Sequence, residues 1–187
     1  MTARSGEQVS DAELAARFQR EREVFTEVHD RYFAAVYRYV AGRLDPQVAE
    51  DITAETFLVA YDRRDTFNQQ RGELRPWLFG IATNLVAGHR RKEARHYRAL
   101  ARLEVQSTVD SHENRVVSQV TARHLLPRAL ARLSRGERDV LLLVALGELS
   151  YDEVAQALGI TSGTVGSRLT RARQKLSKIL GQGADSE

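Results

Sequence analysis

Apolar residues recur at helical spacing along most of the chain, and no stretch alternates with the two-residue period of a strand. Ser10 and Glu13 have the spacing of a capping box, which opens helical sequence running to Arg43 with a break near Arg20. Phe25, Val28, Tyr32, Val36 and Tyr39 repeat on one face there and are predicted core. Pro46 follows at a position suited to the first turn of a second helix, expected over 48–63. Residues 65–75, DTFNQQRGELR, read as a loop pivoting on Gly72. Pro76 then introduces a third helix over 77–103, with Trp77, Ile81, Leu85 and Gly88 on one stripe and Leu78 and Ala82 beside it.

Periodicity fails over 104–113, EVQSTVDSHE, where polar residues predict a linker. Ten flexible residues give a root-mean-square reach of roughly 16–19 Å, so the units on either side are expected to move independently. Helical sequence resumes at Asn114, with a kink or restart at Pro127. Ser134 and Glu137 form a second box, preceding a short apolar helix over 138–146 that Gly147 ends. Ser150 and Glu153 form a third, opening a helix with Tyr151, Val154, Ala155 and Leu158 on its buried face. Gly159 provides the turn, Ile160 plugs the corner, and Thr161 or Ser162 caps a last helix whose buried stripe is Val165, Leu169, Ala172, Leu176 and Ile179. Its other face carries Ser167, Arg168, Arg171, Lys175 and Lys178. A short helix, a glycine turn and a longer basic helix make a helix-turn-helix, whose second helix enters the major groove. The predicted fold is all-α: two small helical domains, 10–103 and 114–180, joined by a flexible linker, with 1–9 and 181–187 disordered.

Charge sharpens this picture. The net charge of +3 is the balance of two basic patches and an acidic remainder. Residues 88–103 carry six cations against one acid, and 163–180 carry five against none, which leaves −7 elsewhere. Two patches suggest two contacts with a polyanion, and one helix-turn-helix explains only the second. In contrast, 45–55 holds Asp45, Glu50, Asp51 and Glu55 with no base. Asp51 and Glu55 are like charges one turn apart, a local cost of a few tenths of a kcal/mol that a basic partner would offset.

The remaining composition removes function classes. The chain has no cysteine, so disulfides and thiolate metal sites are excluded, as befits the cytoplasm. No signal-peptide core and no run near the ~20 apolar residues of a membrane span occurs. His89 and His96 show no carboxylate or cysteine partner at ligand spacing, and no activated nucleophile or acid cluster is evident, so no metal, no cofactor and no enzymatic activity is expected.

The stretches AEDITAETFLVAY (49–61), RPWLFGIATNLVAGHRRKEAR (75–95), LARLSRGERDVLLL (130–143) and 150–180, in this order with a polar linker between, resemble bacterial alternative sigma factors of the extracytoplasmic-function (ECF, sigma-70-like) group. The resemblance covers about Asp11 to Leu180. It implies a protein that binds core RNA polymerase and directs promoter-specific initiation. Carried onto matching positions, Asp51 and Glu55 would bind the clamp helices of the largest polymerase subunit, and the flap of the second-largest is a further polymerase contact. Residues 67–75 and the helix after them would read and open the −10 element, with Asn84, His89, Arg90 and Arg91 as candidates. Thr164, Ser167, Arg168 and Arg171 would read the −35 element, with Arg173 nearer the phosphates. An anti-sigma factor is a further partner the resemblance suggests. Three positions depart from the family pattern: Ala54 stands where Gln is common, Gly88 where a larger polar side chain is usual, and Gly166 where Lys is frequent. A stand-alone helix-turn-helix regulator is the alternative, and it leaves the acidic helix and the first basic patch unexplained.

Overall fold

The computed structural model describes residues 9–105, 126 and 129–184, and among them every regular element is helical. The first unit holds α1 (Asp11–Arg20), α2 (Phe25–Ala41), α3 (Pro46–Asp62) and α4 (Leu74–Val105). The second holds α5 (Arg135–Ala145), α6 (Tyr151–Leu158) and α7 (Ser162–Ala184). No helix among the described residues is long and apolar enough to cross a membrane.

Local chemistry sets the boundaries. The Ser10 hydroxyl accepts from the Glu13 amide at 3.2 Å, and α1 stops where Glu21 turns extended, beside the expected break. Asp45 accepts from the Val48 amide at 3.1 Å with Pro46 in the first turn, so this acid caps α3. The stretch read as a loop contains two short 3-10 turns, Arg64–Thr66 and Gln69–Arg71. Helix α4 begins at Leu74, which places Pro76 in a first turn that needs none of its amides.

Three expectations change. Helix α4 continues two residues into the predicted linker, and α7 four residues into the predicted disordered tail. Neither end meets a proline, and the glycines in α7 cost only about 1 kcal/mol each in a helix. At the other end Val9, predicted disordered, packs partly buried on the core. The predictions for 1–8, 106–125, Pro127 and 185–187 lie outside the described residues.

The core of the first unit is built from Phe18, Val28, Val36, Tyr39, Phe57, Leu78 and Ala82, all buried. Each such Phe, Val or Leu contributes about 1.5–3 kcal/mol when fully removed from water. On α4 the buried stripe is Leu74, Leu78, Ala82 and Val86, with Phe79 beside it, whereas Trp77, Ile81 and Leu85 are only half-buried. The expected stripe is therefore rotated by one residue. Trp77 covers the edge of the core, its ring 6.5 Å from Phe18 and 5.2 Å from Phe67, and Phe67 comes from the stretch read as a loop.

The two units do not stand apart. Helix α4 packs on α6, and one continuous cluster of buried side chains runs through both. At Gly80 a Cβ atom would lie 2.7 Å from the Ala157 carbonyl oxygen, so only glycine lets the backbones come this close. Arg75 donates to the Gly147 carbonyl at 2.8 Å and pairs with Glu153 at 3.0 Å. Arg43 pairs with Asp139. Independent movement, expected from the linker's length, gives way to a packed face.

Candidate nucleic-acid and polymerase interfaces

The helix-turn-helix is assembled by its caps. Ser150 accepts from the Glu153 amide and the Glu153 carboxylate accepts from the Ser150 amide, a complete capping box. Gly159 ends α6 in the left-handed region (φ 63°, ψ 40°), and the Ile160 amide returns to the Ala155 carbonyl at 2.9 Å. Thr161 caps α7, accepting from the Thr164 amide at 3.2 Å, while the Ser162 hydroxyl donates to Asp152 instead. Val165, Leu169 and Ala172 are buried, with Leu176 and Ile179 half-buried toward the end. Tyr151, predicted buried, is 44% exposed. It occupies the first position of α6, at the edge of the contact with α7, and leaves the buried face to Val154 and Ala155.

On α7, Ser167, Arg171 and Arg173 are exposed, and Thr164 is half-buried beside the Thr161 hydroxyl at 2.9 Å. Arg168 is half-buried and lies over Gly136, where a Cβ atom would come within 2.9 Å of its guanidinium. Lys175, read as part of the basic outer face, has Nζ 2.8 Å from both carboxylate oxygens of Glu137. That contact first, and the Ser134 backbone amide second, hold the Glu137 carboxyl down at about 2. Lys175 therefore ties α7 to α5, a contact the helical wheel alone does not reveal.

The basic end of α4 is less uniform than its sequence. Asn84 and Arg91 are exposed, and His89 is half-buried. His89 Nε2 lies 3.6 Å from Glu93, so this histidine has a carboxylate neighbour after all, one turn along the helix. Among the described residues no group of three or more His, Cys, Asp or Glu could hold a metal ion. Arg90 turns inward and donates to the Arg43 carbonyl at 2.7 Å. Burial first, then the charges of Arg43 and Arg138, weaken its hold on the proton.

Asp51 and Glu55 are exposed on α3 and make no ion pair among the described residues. The same face carries Ala54 and Leu58, the latter 62% exposed. The exposed leucine extends the 51, 54/55, 58 spacing, a feature legible in the sequence as an apolar side chain on an otherwise acidic face.

Of the predicted residues, the fold brings Asn84 and Arg168 together: both line one cleft of about 280 Å³ between the units, with Arg135 and Asp139. Arg43, Arg75 and Asp139, which organise that interface, were not singled out from the sequence. The one clue was Asp139, an acid within the otherwise apolar run DVLLLVA.

The chain is similar to known proteins. Residues 24–96 match Sigma-70 region 2, and residues 123–176 match Sigma-70, region 4. The ECF RNA polymerase sigma factor BldN of Streptomyces coelicolor is 33% identical over 172 residues, spanning 90% of this chain and 65% of BldN. The RNA polymerase sigma factor CnrH of Cupriavidus metallidurans is 35% identical over 146 residues, 74% of this chain and 75% of CnrH. The solved structure of CnrH in complex with the cytosolic domain of CnrY superposes with a TM-score of 0.66, at 28% identity, over 92% of this chain and 97% of that one. With both regions in order around the packed helices described above, the chain belongs to the sigma-70 family of RNA polymerase sigma factors, in its ECF group.

Proposed function

We propose that three faces divide the work of this sigma factor, which joins core RNA polymerase to promoter DNA. The α3 stripe of Asp51, Glu55 and Leu58 holds a basic helical surface of the polymerase. Asn84, His89 and Arg91, with Arg90 once released from Arg43, meet the −10 element. Thr164, Ser167, Arg168 and Arg171 meet the −35 element, with Arg173 on the phosphates. The observation that carries this reading is the acid stripe: two like charges and a 62% exposed leucine share one helical face, which supports a partner rather than internal stability.

The arrangement of the units adds a requirement. Elements at −35 and −10 centre about 25 base pairs apart, roughly 85 Å along B-form DNA. Asn84 and Arg168 line a single cleft, so the units must separate before both elements are read. CnrH is solved with the cytosolic domain of CnrY. A protein partner of that kind, acting on the closed form, is the regulator we assign to this chain.

The test combines purified chain, core polymerase and a randomised promoter library. Stable association with core, loss of it in the Asp51→Ala/Glu55→Ala variant, and selection of a two-part motif are expected. Sequence-specific DNA binding that is unchanged by core polymerase would identify a stand-alone regulator instead.

A further inference from the structure

A second cleft, of about 430 Å³, lies where the end of α4 faces α5. Seven of its ten lining residues are arginines and one is an acid, Asp139. Arg90, Arg91, Arg95 and Arg98 come from α4, while Arg135 and Arg138 come from the other unit. Asp139 is already committed, to Arg43 at 2.5 Å and to Arg135 at 3.6 Å. Arg138 is spent on the Leu130, Ala131 and Leu133 carbonyls. Arg91, Arg95 and Arg98 have no acidic partner among the described residues. Closing the two units thus drives like charges together across an interface, a repulsion that Asp139 alone does not cancel.

We infer that this cleft is a binding site for a small multiphosphate anion, held by guanidinium groups from both units and favouring their closed arrangement. The chemistry follows from the lining. Planar guanidiniums pair phosphate oxygens two at a time, and neighbouring phosphates offer the charge density to satisfy several at once. The volume falls in the range of small-ligand sites, and Ala87 and Ala94 leave the floor free of competing polar groups. A cleft this size admits a compact anion but not a duplex. Because the site exists only when α4 and α5 face each other, any anion that binds it stabilises that state by linkage. Arg90 and Arg91 belong to the −10 face under the reading above, and only the expected competition with DNA depends on that reading.

The experiment titrates the full chain with tripolyphosphate at fixed ionic strength by calorimetry, alongside interdomain distance measured between labels at Asp62→Cys and Lys178→Cys. Saturable one-to-one binding is expected, with the label separation narrowed to a single closed-state value. Arg95→Ala and Arg135→Ala, one from each unit, should each weaken it on the order of tenfold, the loss of one charge-assisted hydrogen bond. Lys92→Ala, an exposed cation on the same helix outside the cleft, should change it within about twofold. Equal affinity for GTP and tripolyphosphate assigns recognition to the phosphates alone, and tighter GTP binding assigns part of it to the base. Equal losses in all three variants would reduce the effect to general charge and overturn the site. So would tighter binding of a polyglutamate peptide. Anion binding without change in promoter affinity would retain the site and count against the −10 role of Arg90 and Arg91.

Discussion

Arg43 and Asp139, 96 residues apart in sequence, meet at 2.5 Å with side chains only 3% and 6% exposed. Arg43 also donates to the Tyr39 hydroxyl, which bonds Thr83 at 2.7 Å, so the pair is anchored deep in the first unit. Removing one partner of a buried pair costs about 3–5 kcal/mol when the other stays buried. Here the chain has an alternative. Separation of the units would return Arg43 to water.

Asp139→Ala is therefore expected to open the molecule rather than melt it. Small-angle scattering should report a larger radius, while the thermal transition moves by only a few degrees. A transition lowered by more than about 10 °C at unchanged radius would show that the pair holds the fold itself together.

On α3, Asp51→Ala/Glu55→Ala should leave thermal stability nearly intact, since both acids are exposed and repel each other. Affinity for core polymerase should fall steeply, because charge contacts at interfaces carry about 2–5 kcal/mol when truncated. Leu58→Asn should weaken core binding on the order of tenfold by removing an apolar contact without altering charge. Early unfolding of either variant with normal core binding would make the stripe structural.

Much of the fold was readable because its causes are local. The boxes at Ser134/Glu137 and Ser150/Glu153, and the glycine at 159, act within four residues, and each sits where the sequence places it. Trp77 packs on the core as its stripe predicts, but at the edge, because periodicity identifies an apolar face and not which neighbour covers it; Phe67 supplies that neighbour from a loop. Arg168, Lys175 and Arg90 looked alike as surface cations. What separates them is Gly136, Glu137 and the Arg43 carbonyl, each supplied by another element. Helical periodicity alone could not anticipate these nonlocal contacts.

Glu137 gives the second unit a defined acid sensitivity. Its folded carboxyl titrates at about 2, held there by Lys175, against about 4.3 in an unfolded chain. Between these values the unfolded state binds more protons, so the contribution is complete above pH ~4.3 and is lost as pH falls toward 2. Lys175→Met should raise the Glu137 value and shrink the loss of stability across that window. The check is an NMR titration of the Glu137 carboxyl with denaturant melts at pH 5 and pH 3. A Glu137 titration unmoved by Lys175→Met would assign the depression to the Ser134 amide.

Arg168 is the sharpest test of how α7 reads DNA. In a helix-turn-helix the first turns of the second helix lie deepest in the groove and later turns rise out of it. Val165 and Leu169 fix the buried face, and Arg168 stands off it, near the amino-terminal end. Its guanidinium lies over Gly136 of its own unit and lines the cleft it shares with Asn84, which opens once the units part. Paired with both acceptors of a guanine, it would supply about 1–3 kcal/mol of discrimination. Lys178 lies ten residues further, roughly 15 Å along the axis, where phosphate is within reach but base edges are not. Arg168→Ala should lower transcription and relax preference at one or two −35 positions, whereas Lys178→Ala should weaken all sequences about equally. Transcription by the holoenzyme across single-base −35 variants measures both. Full base preference retained in Arg168→Ala would leave that residue a phosphate contact, or a contact of the closed state alone.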